Sequence, residues 1–167
     1  NTQRDRMEQA LDLILRLFRG EVVTEKTDWY SLKEARLHLL PYSDPFPEVA
    51  VASAVPPSGG RLAGRYDLGM LCVAAAEIIG FDALATNWQT ACEIAAEHGR
   101  TMDPRRLRLV APFHIAETRD KARENVRFGM QAYIDYVNNN MPRFNVPPGE
   151  DIVDYWMRVK IGVIGTP

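Results

Sequence analysis

Short apolar runs and helix-period segments take turns along this chain, which restricts it to a mainly parallel sheet wrapped by helices. Met7, Leu11, Ile14, Leu15 and Phe18 recur at helical spacing, with Gly20 as a stop. Glu21 to Asp44 reads as an excursion. Val22-Val23 and Trp29-Tyr30 suit a small hairpin, and Leu37, Leu39 and Pro41 suit an extended return. Glu48 to Ser53 is a short strand whose consecutive apolar positions predict burial on both faces. A turn and a short helix through Leu62 to Gly64 lead to a second strand, Leu68 to Ala74.

Phe81 to His98 is a helix with Leu84, Trp88, Ala91 and Ala95 on one side, ended by Gly99, and Leu107 to Ala116 is a third strand. Thr118 caps the next helix, which runs through Ala122, Val126, Gly129 and Tyr133 to about Val137. Asn138 to Gly149 is a loop, and a short helix around Tyr155 to Val159 precedes Gly162-Val163-Ile164. Doubly wound sheets and (β/α)8 barrels both satisfy this α/β order, and periodicity does not separate them.

Length fits a single domain over residues 1–167, and 46% apolar with 25% charged residues is a globular balance. Twenty basic against twenty-two acidic residues, with no basic stripe, argue against nucleic acid and anionic membrane as partners. No apolar run reaches the eighteen residues of a membrane span, and the polar start Asn1 to Arg6 lacks a signal-peptide core. Cys72 and Cys92 lie in apolar patterns and read as reduced core residues of a cytoplasmic protein, a disulfide being the alternative. The first helix has no strand before it, and Thr166-Pro167 is a helix-start signal at the last residue, so we expect a fragment of a longer chain.

Val51 to Gly64 is the stretch that can carry chemistry. A buried strand ends in small residues and passes through Pro56-Pro57-Ser58-Gly59-Gly60 into a helix. Backbone N–H groups at such a helix start can approach an anion, Ser53 and Ser58 can donate hydroxyl hydrogen bonds to phosphate oxygens, and Arg61 or Arg65 can add charge. The run is neither a Walker loop nor a dinucleotide fingerprint, and a plain turn before a capped helix explains it equally.

Pro57-Ser58-Gly59, Leu62-Ala63-Gly64-Arg65-Tyr66 and Leu68-Gly69-Met70-Leu71 resemble a segment of the luciferase-like monooxygenases, in particular their limonene monooxygenase-like branch. His114-Ile115-Ala116-Glu117-Thr118-Arg119-Asp120-Lys121-Ala122-Arg123 is similar to a second run of that family. Leu32 to Leu37 and Ile164 to Pro167 also fit, so the matches follow in order from about residue 5 to the end.

The resemblance implies a (β/α)8 TIM barrel and a flavin-dependent monooxygenase that uses reduced flavin, most simply FMN, and O2 on a small apolar substrate. It implies a separate reductase as the supplier of reduced flavin, and we expect a homo-oligomer. Carried over by position, Ala52, Ser53, Ser58 and Gly59 would hold the flavin phosphate. Pro56 stands where many relatives have Ser, and Asp67 replaces a frequent Gly, which stiffens that turn. On this alignment the chain holds barrel strands five to seven, Glu48 to Ser53, Leu68 to Val73 and Leu107 to Ile115. The first four strands and the eighth would be missing, so catalytic residues are unknown and the piece would be inactive, and prone to associate, alone. A deazaflavin-dependent oxidoreductase of the same superfamily and a flavin binder without turnover are the rival functions.

Several other residues have plainer readings. His114, at a strand end, can orient substrate or move a proton, or can simply bond a neighbouring loop. His38 and His98 read as surface residues, and the three His lack metal-ligand spacing, so no metal site is expected. Glu117 and Asp120 suit the first turn of a helix, where carboxylates complement its dipole. Trp88, Trp156 and Tyr133 read as packing residues.

Overall fold

The computed structural model describes residues 2–73, 78–140 and 142–167, with the backbone alone described at residues 78 and 79. The elements are α1 (Thr2–Phe18), β1 (Val23–Lys26), β2 (Ser31–Ala35), β3 (Ala50–Ser53), α2 (Ser58–Tyr66), β4 (Gly69–Cys72), α3 (Ile78–Glu97), β5 (Leu107–Leu109), β6 (Phe113–Ile115), α4 (Arg119–Asn140), α5 (Ile152–Arg158) and β7 (Val163–Gly165). β3, β4 and β5 are parallel neighbours in that order, and β6 pairs in parallel with β7. β1 and β2 form a separate antiparallel hairpin. Neither parallel patch closes on itself. The architecture is mixed α/β, and no helix among the described residues is long and apolar enough to cross a membrane.

The structure departs from the expected pattern at four places. Trp29 and Tyr30 lie in the hairpin turn, not in a strand: Thr27 Oγ1 accepts the N–H groups of Trp29 (3.3 Å) and Tyr30 (3.1 Å), and the two rings pack edge to face. The return strand is Ser31–Ala35, and Leu37 to Pro41 has no regular structure. The third expected strand is split in two. Val110 N still donates to Cys72 O at 2.9 Å, but Pro112 has no N–H to extend that ladder, and its carbonyl accepts from Val163 N at 3.0 Å. The chain thus changes partner from β4 to β7 within a few residues. Third, Val163–Gly165, to which the sequence pattern assigned no element, forms a further parallel strand, β7. Fourth, β3 is not buried on both faces. Val51 and Ser53 are buried while Ala50 and Ala52 are exposed. Apolar residues on both faces record what each can tolerate, not what covers it. Smaller shifts occur at ends: α4 runs on to Asn140, while Ala74 of the second expected strand and Met141 of the expected loop lie outside the described residues.

Pleating assigns the two faces of the three-stranded patch. Val51 and Ser53 pair with Met70 and Cys72, and these residues look toward the helices. Ala52, Leu71 and Arg108 form the opposite row. Beneath α1 a core of Leu15, Val51, Leu62 and Leu68 forms. A second, of Ala63, Met70, Cys72, Ala91, Ala95 and Met102, lies under α2 and α3. A third gathers Ala122, Met130, Ile134, Phe144, Val153, Tyr155, Trp156, Ile161 and Ile164 around β7.

Small residues let α2 come down onto its neighbours. A Cβ on Gly59 would stand 2.8 Å from the Ala52 carbonyl oxygen and 2.9 Å from Ser53 Cβ. On Gly60 and Gly64 it would come closer still to backbone oxygens of α3, those of Asn87 and Ala91 respectively. The spacing of four residues puts both glycines on one side of α2, so the helices meet backbone to backbone. Asp67, in the left-handed region at φ +56°, ends α2, and Arg106 donates to its carboxylate (3.1 Å) and its carbonyl (2.7 Å). Of these two bonds, only the one to the carboxylate depends on Asp in place of Gly.

On the open face, Arg108 holds Glu48 with two bonds of 2.6 Å. That hydrogen bonding keeps the Glu48 carboxyl below its ordinary range. Its folded pKa is depressed, so its stabilising contribution is complete above the unfolded pKa and is lost as pH falls through the folded one. Both partners are exposed and screened, so the effect is small. Glu48→Gln should lower the melting temperature slightly at pH 6 and make no difference near pH 2, read by thermal melts across that range. A gap that widens toward acid would contradict the assignment.

Candidate functional site

The C-terminal end of β3 and the N-terminus of α2 form the one segment where the sequence placed its site residues. Ala52, Ser53 and Gly59 come together: the α-carbon of Gly59 sits over the Ala52 carbonyl and the Ser53 side chain. Ala52 is exposed on the open face of the sheet and has only its backbone to offer. Ser53 is 3% exposed, and its Oγ has no hydrogen-bond partner among the described residues. An orphaned buried hydroxyl is costly in a folded core, and it is a donor waiting for an acceptor.

Ser58 is the first residue of α2. It lines a cleft of about 580 Å³ with Arg61, Arg65, Arg4, Glu8 and His98. Arg65 is bonded to Glu8, whereas Arg61 has no acidic partner among the described residues. Pro57 occupies the cap position, and no side chain caps the helix. Helix geometry leaves the N–H groups of Ser58, Gly59 and Gly60 without acceptors inside the helix, and the aligned peptide dipoles make that end partly positive. Arg61 N is the first to bond within the turn, to Pro57 O at 3.0 Å. Among the described residues, the end of α2 is therefore a set of unengaged donors beside a buried hydroxyl, with the Arg61 guanidinium at its rim. Such a group suits an anion of phosphate size.

His114 lies elsewhere, on β6. Its Nε2 is 3.1 Å from Asn125 Nδ2 of α4, so the ring nitrogen is the acceptor and the amide donates. His114 and Asn125 border an apolar groove of about 360 Å³ with Phe113, Tyr133, Trp156 and Val163. His38 and His98 are exposed, and among the described residues no three His, Cys, Asp or Glu groups are placed to hold a metal ion. Thr118 caps α4 as expected, its Oγ1 accepting from Lys121 N at 3.1 Å, with Asp120 in the first turn. Cys72 is buried and Cys92 half-buried, both as free thiols. Burial pushes the Cys72 thiol up, away from a nucleophile.

Sequence reading missed Asn87. It is buried in α3, and its Nδ2 donates to Ala54 O at 2.8 Å, directly after β3. A signal was present: Asn87 falls between Leu84 and Ala91 on the apolar stripe, where a polar residue needs an explanation.

The family model described as luciferase-like monooxygenase matches residues 1–151. The chain belongs to the luciferase-like monooxygenase family. Within it, the chain is 42% identical over 165 residues to a limonene 1,2-monooxygenase of Rhodococcus erythropolis. It is 38% identical over 148 residues to a 4-hydroxyprotoasukamycin monooxygenase of Streptomyces nodosus subsp. asukaensis. These alignments cover 98% and 87% of this chain, and 42% and 39% of the relatives. The chain therefore spans about two-fifths of the length of the curated relatives it matches.

Solved structures share the fold. The oxygenating constituent of 3,6-diketocamphane monooxygenase from the CAM plasmid of Pseudomonas putida, solved in complex with FMN, superposes with a TM-score of 0.68 at 19% identity. That match covers 98% of this chain and 50% of the other. An F420-dependent secondary alcohol dehydrogenase, in complex with an F420–acetone adduct, superposes at 0.59 with 20% identity, covering 99% and 49%.

Proposed function

We propose that this luciferase-like chain is an incomplete single domain, part of a (β/α)8 barrel that works as a flavin-dependent monooxygenase. In this reading β3, β4, the split pair β5 and β6, and β7 are consecutive barrel strands, and loops at their C-terminal ends face the cofactor. The observation that carries it is the uncapped N-terminus of α2 beside the orphaned Ser53 hydroxyl, in a chain 42% identical to a limonene monooxygenase.

The residues fit the phosphate of FMN. The amides of Ser58, Gly59 and Gly60 donate to its oxygens, Ser53 and Ser58 add hydroxyl donors, and Arg61 supplies charge at the rim. Gly59, by lacking a Cβ, lets the start of α2 lie against Ala52 and Ser53, so that its amides and the Ser53 hydroxyl are neighbours. Bound reduced flavin supplies the reaction with O2, and a separate reductase supplies the reduced flavin. The substrate is small and apolar, in keeping with the relative named for limonene, and the protein is a cytoplasmic homo-oligomer. The chain's own residues seat the cofactor; the rest of the barrel completes the pocket.

The test uses the full-length protein under anaerobic conditions, titrated with reduced FMN and with reduced riboflavin, which lacks the phosphate. Ser53→Ala and Ser58→Ala should each weaken FMN about tenfold, the worth of one charge-assisted hydrogen bond, and leave riboflavin unchanged. Equal affinity of the wild type for the two flavins would remove the phosphate assignment. A second reading is favoured by the F420-dependent neighbour: a deazaflavin carries a hydride without oxygen. Turnover that persists without O2 when F420 is supplied would select it.

A further inference from the structure

We infer that Asn87 is a positioning residue for the cofactor phosphate, acting through the loop that follows β3; the inference rests on the phosphate assignment above. Ser53 and Asn87 are the two buried polar residues among those described, and they lie on either side of this loop. Asn87 meets the loop at both ends, by its side chain at one and by its backbone at the other. Its Nδ2 donates to Ala54 O at 2.8 Å, and its own carbonyl oxygen occupies the space that Gly60 leaves by lacking a Cβ. The span between these two holds, 55–60, contains every amide proposed to meet the phosphate. Its second half, Ser58 to Gly60, is also held by the packing of α2 on β3 and α3, but its first half is not. Pro56 and Pro57 have no N–H, and among the described residues the bond from Asn87 is the one that ties 54–56.

The second amide atom bears on positioning against direct binding. Asn87 Oδ1 is buried and has no partner among the described residues. It can only accept hydrogen bonds, as a phosphate oxygen does, so this atom does not ligate the anion, and the Nδ2 that could donate is engaged by Ala54 O. Ser53 Oγ can donate and is the ligand; Asn87 holds the frame in which that ligand and the helix amides converge. Because α3 follows β4, the phosphate seat built on β3 is clamped by the next strand–helix unit along the chain.

The experiment compares Asn87→Ala and Asn87→Asp with wild type in the full-length protein. Amide hydrogen exchange without flavin reads the loop, and anaerobic titrations with reduced FMN and reduced riboflavin read the seat. Asn87→Ala should speed exchange at Val55, Ser58, Gly59 and Gly60, weaken FMN about tenfold and leave riboflavin unchanged. Asn87→Asp keeps the volume and covers the case in which the Ala variant fails to fold. Its carboxylate cannot donate to Ala54 O, but its protonated form can. FMN affinity relative to wild type at the same pH should therefore recover as pH is lowered. Unchanged exchange and unchanged FMN preference in a folded Asn87 variant would overturn the proposal. So would a loosened loop that still prefers FMN. The Ser53 and Ser58 variants report separately: if they too keep the preference, the phosphate assignment has failed, and if they lose it, only the clamp has.

Discussion

Gly64→Ala is expected to destabilise the protein by about 3 kcal/mol, at the upper end of overpacking costs, with Gly60→Ala close behind. The added methyl would meet a backbone oxygen of α3, which cannot rotate away as a side chain can. α2 would have to lift off α3, uncovering Ala91 and Ala95, both fully buried now. The change runs against helix propensity, which favours Ala over Gly by about 1 kcal/mol. That makes Gly129→Ala the natural control. Gly129 also lies inside a helix, but a Cβ there meets nothing within 4 Å. It should stabilise by about 0.5–1 kcal/mol, the propensity gain alone. Denaturant midpoints of the three variants decide the matter, and a Gly64→Ala protein as stable as wild type would mean that the helices do not meet backbone to backbone.

Trp156→Ala should cost about 3–5 kcal/mol, as large aromatic truncations in cores do. Trp156 is 4% exposed, packs edge to face on Tyr133 at 5.6 Å between centroids, and lies 5.8 Å from Phe144. It also sits against Gly162, the residue that leads into β7. Loss of the indole should lower the melting temperature by roughly 10 °C for a chain of this size. Exchange should rise first at β6 and β7 and stay slow at β4. Uniform loosening across both patches would show that the core around Trp156 is not a separate support for that strand pair.

Much of the architecture was legible because it is written locally. Met7 to Phe18 and Leu84 to Ala95 carry their helical periods in adjacent turns, and Gly20 and Gly99 mark the stops. Partner choice is not written locally. Nothing near Pro112 announces that its carbonyl will accept from Val163, fifty-one positions further on, so the split of the third strand and the existence of β7 both escaped. Trp29 and Tyr30 look like strand residues by side chain, but a single hydroxyl at Thr27 outcompetes that preference. At the site, the residue types of the β3–α2 turn pointed to an anion seat, while the direction of each side chain did not. Gly59 and Gly60 suggested room for a ligand, and their space is filled by protein. Ser53 and Ser58 looked equivalent, and they face different surroundings.

The change of partner at Pro112 also divides the chain in time. The cores under α1, α2 and α3 draw on residues from Leu11 to Leu107, and the core around Trp156 draws on residues from Ala116 to Ile164; the lists share no member. On a ribosome the first set is complete, with the loop after β3 and the Asn87 bond to it, while the second is still being made. The later core then has only to dock a strand pair onto a chain already shaped, and substitutions in it should slow the end of folding and leave the beginning untouched.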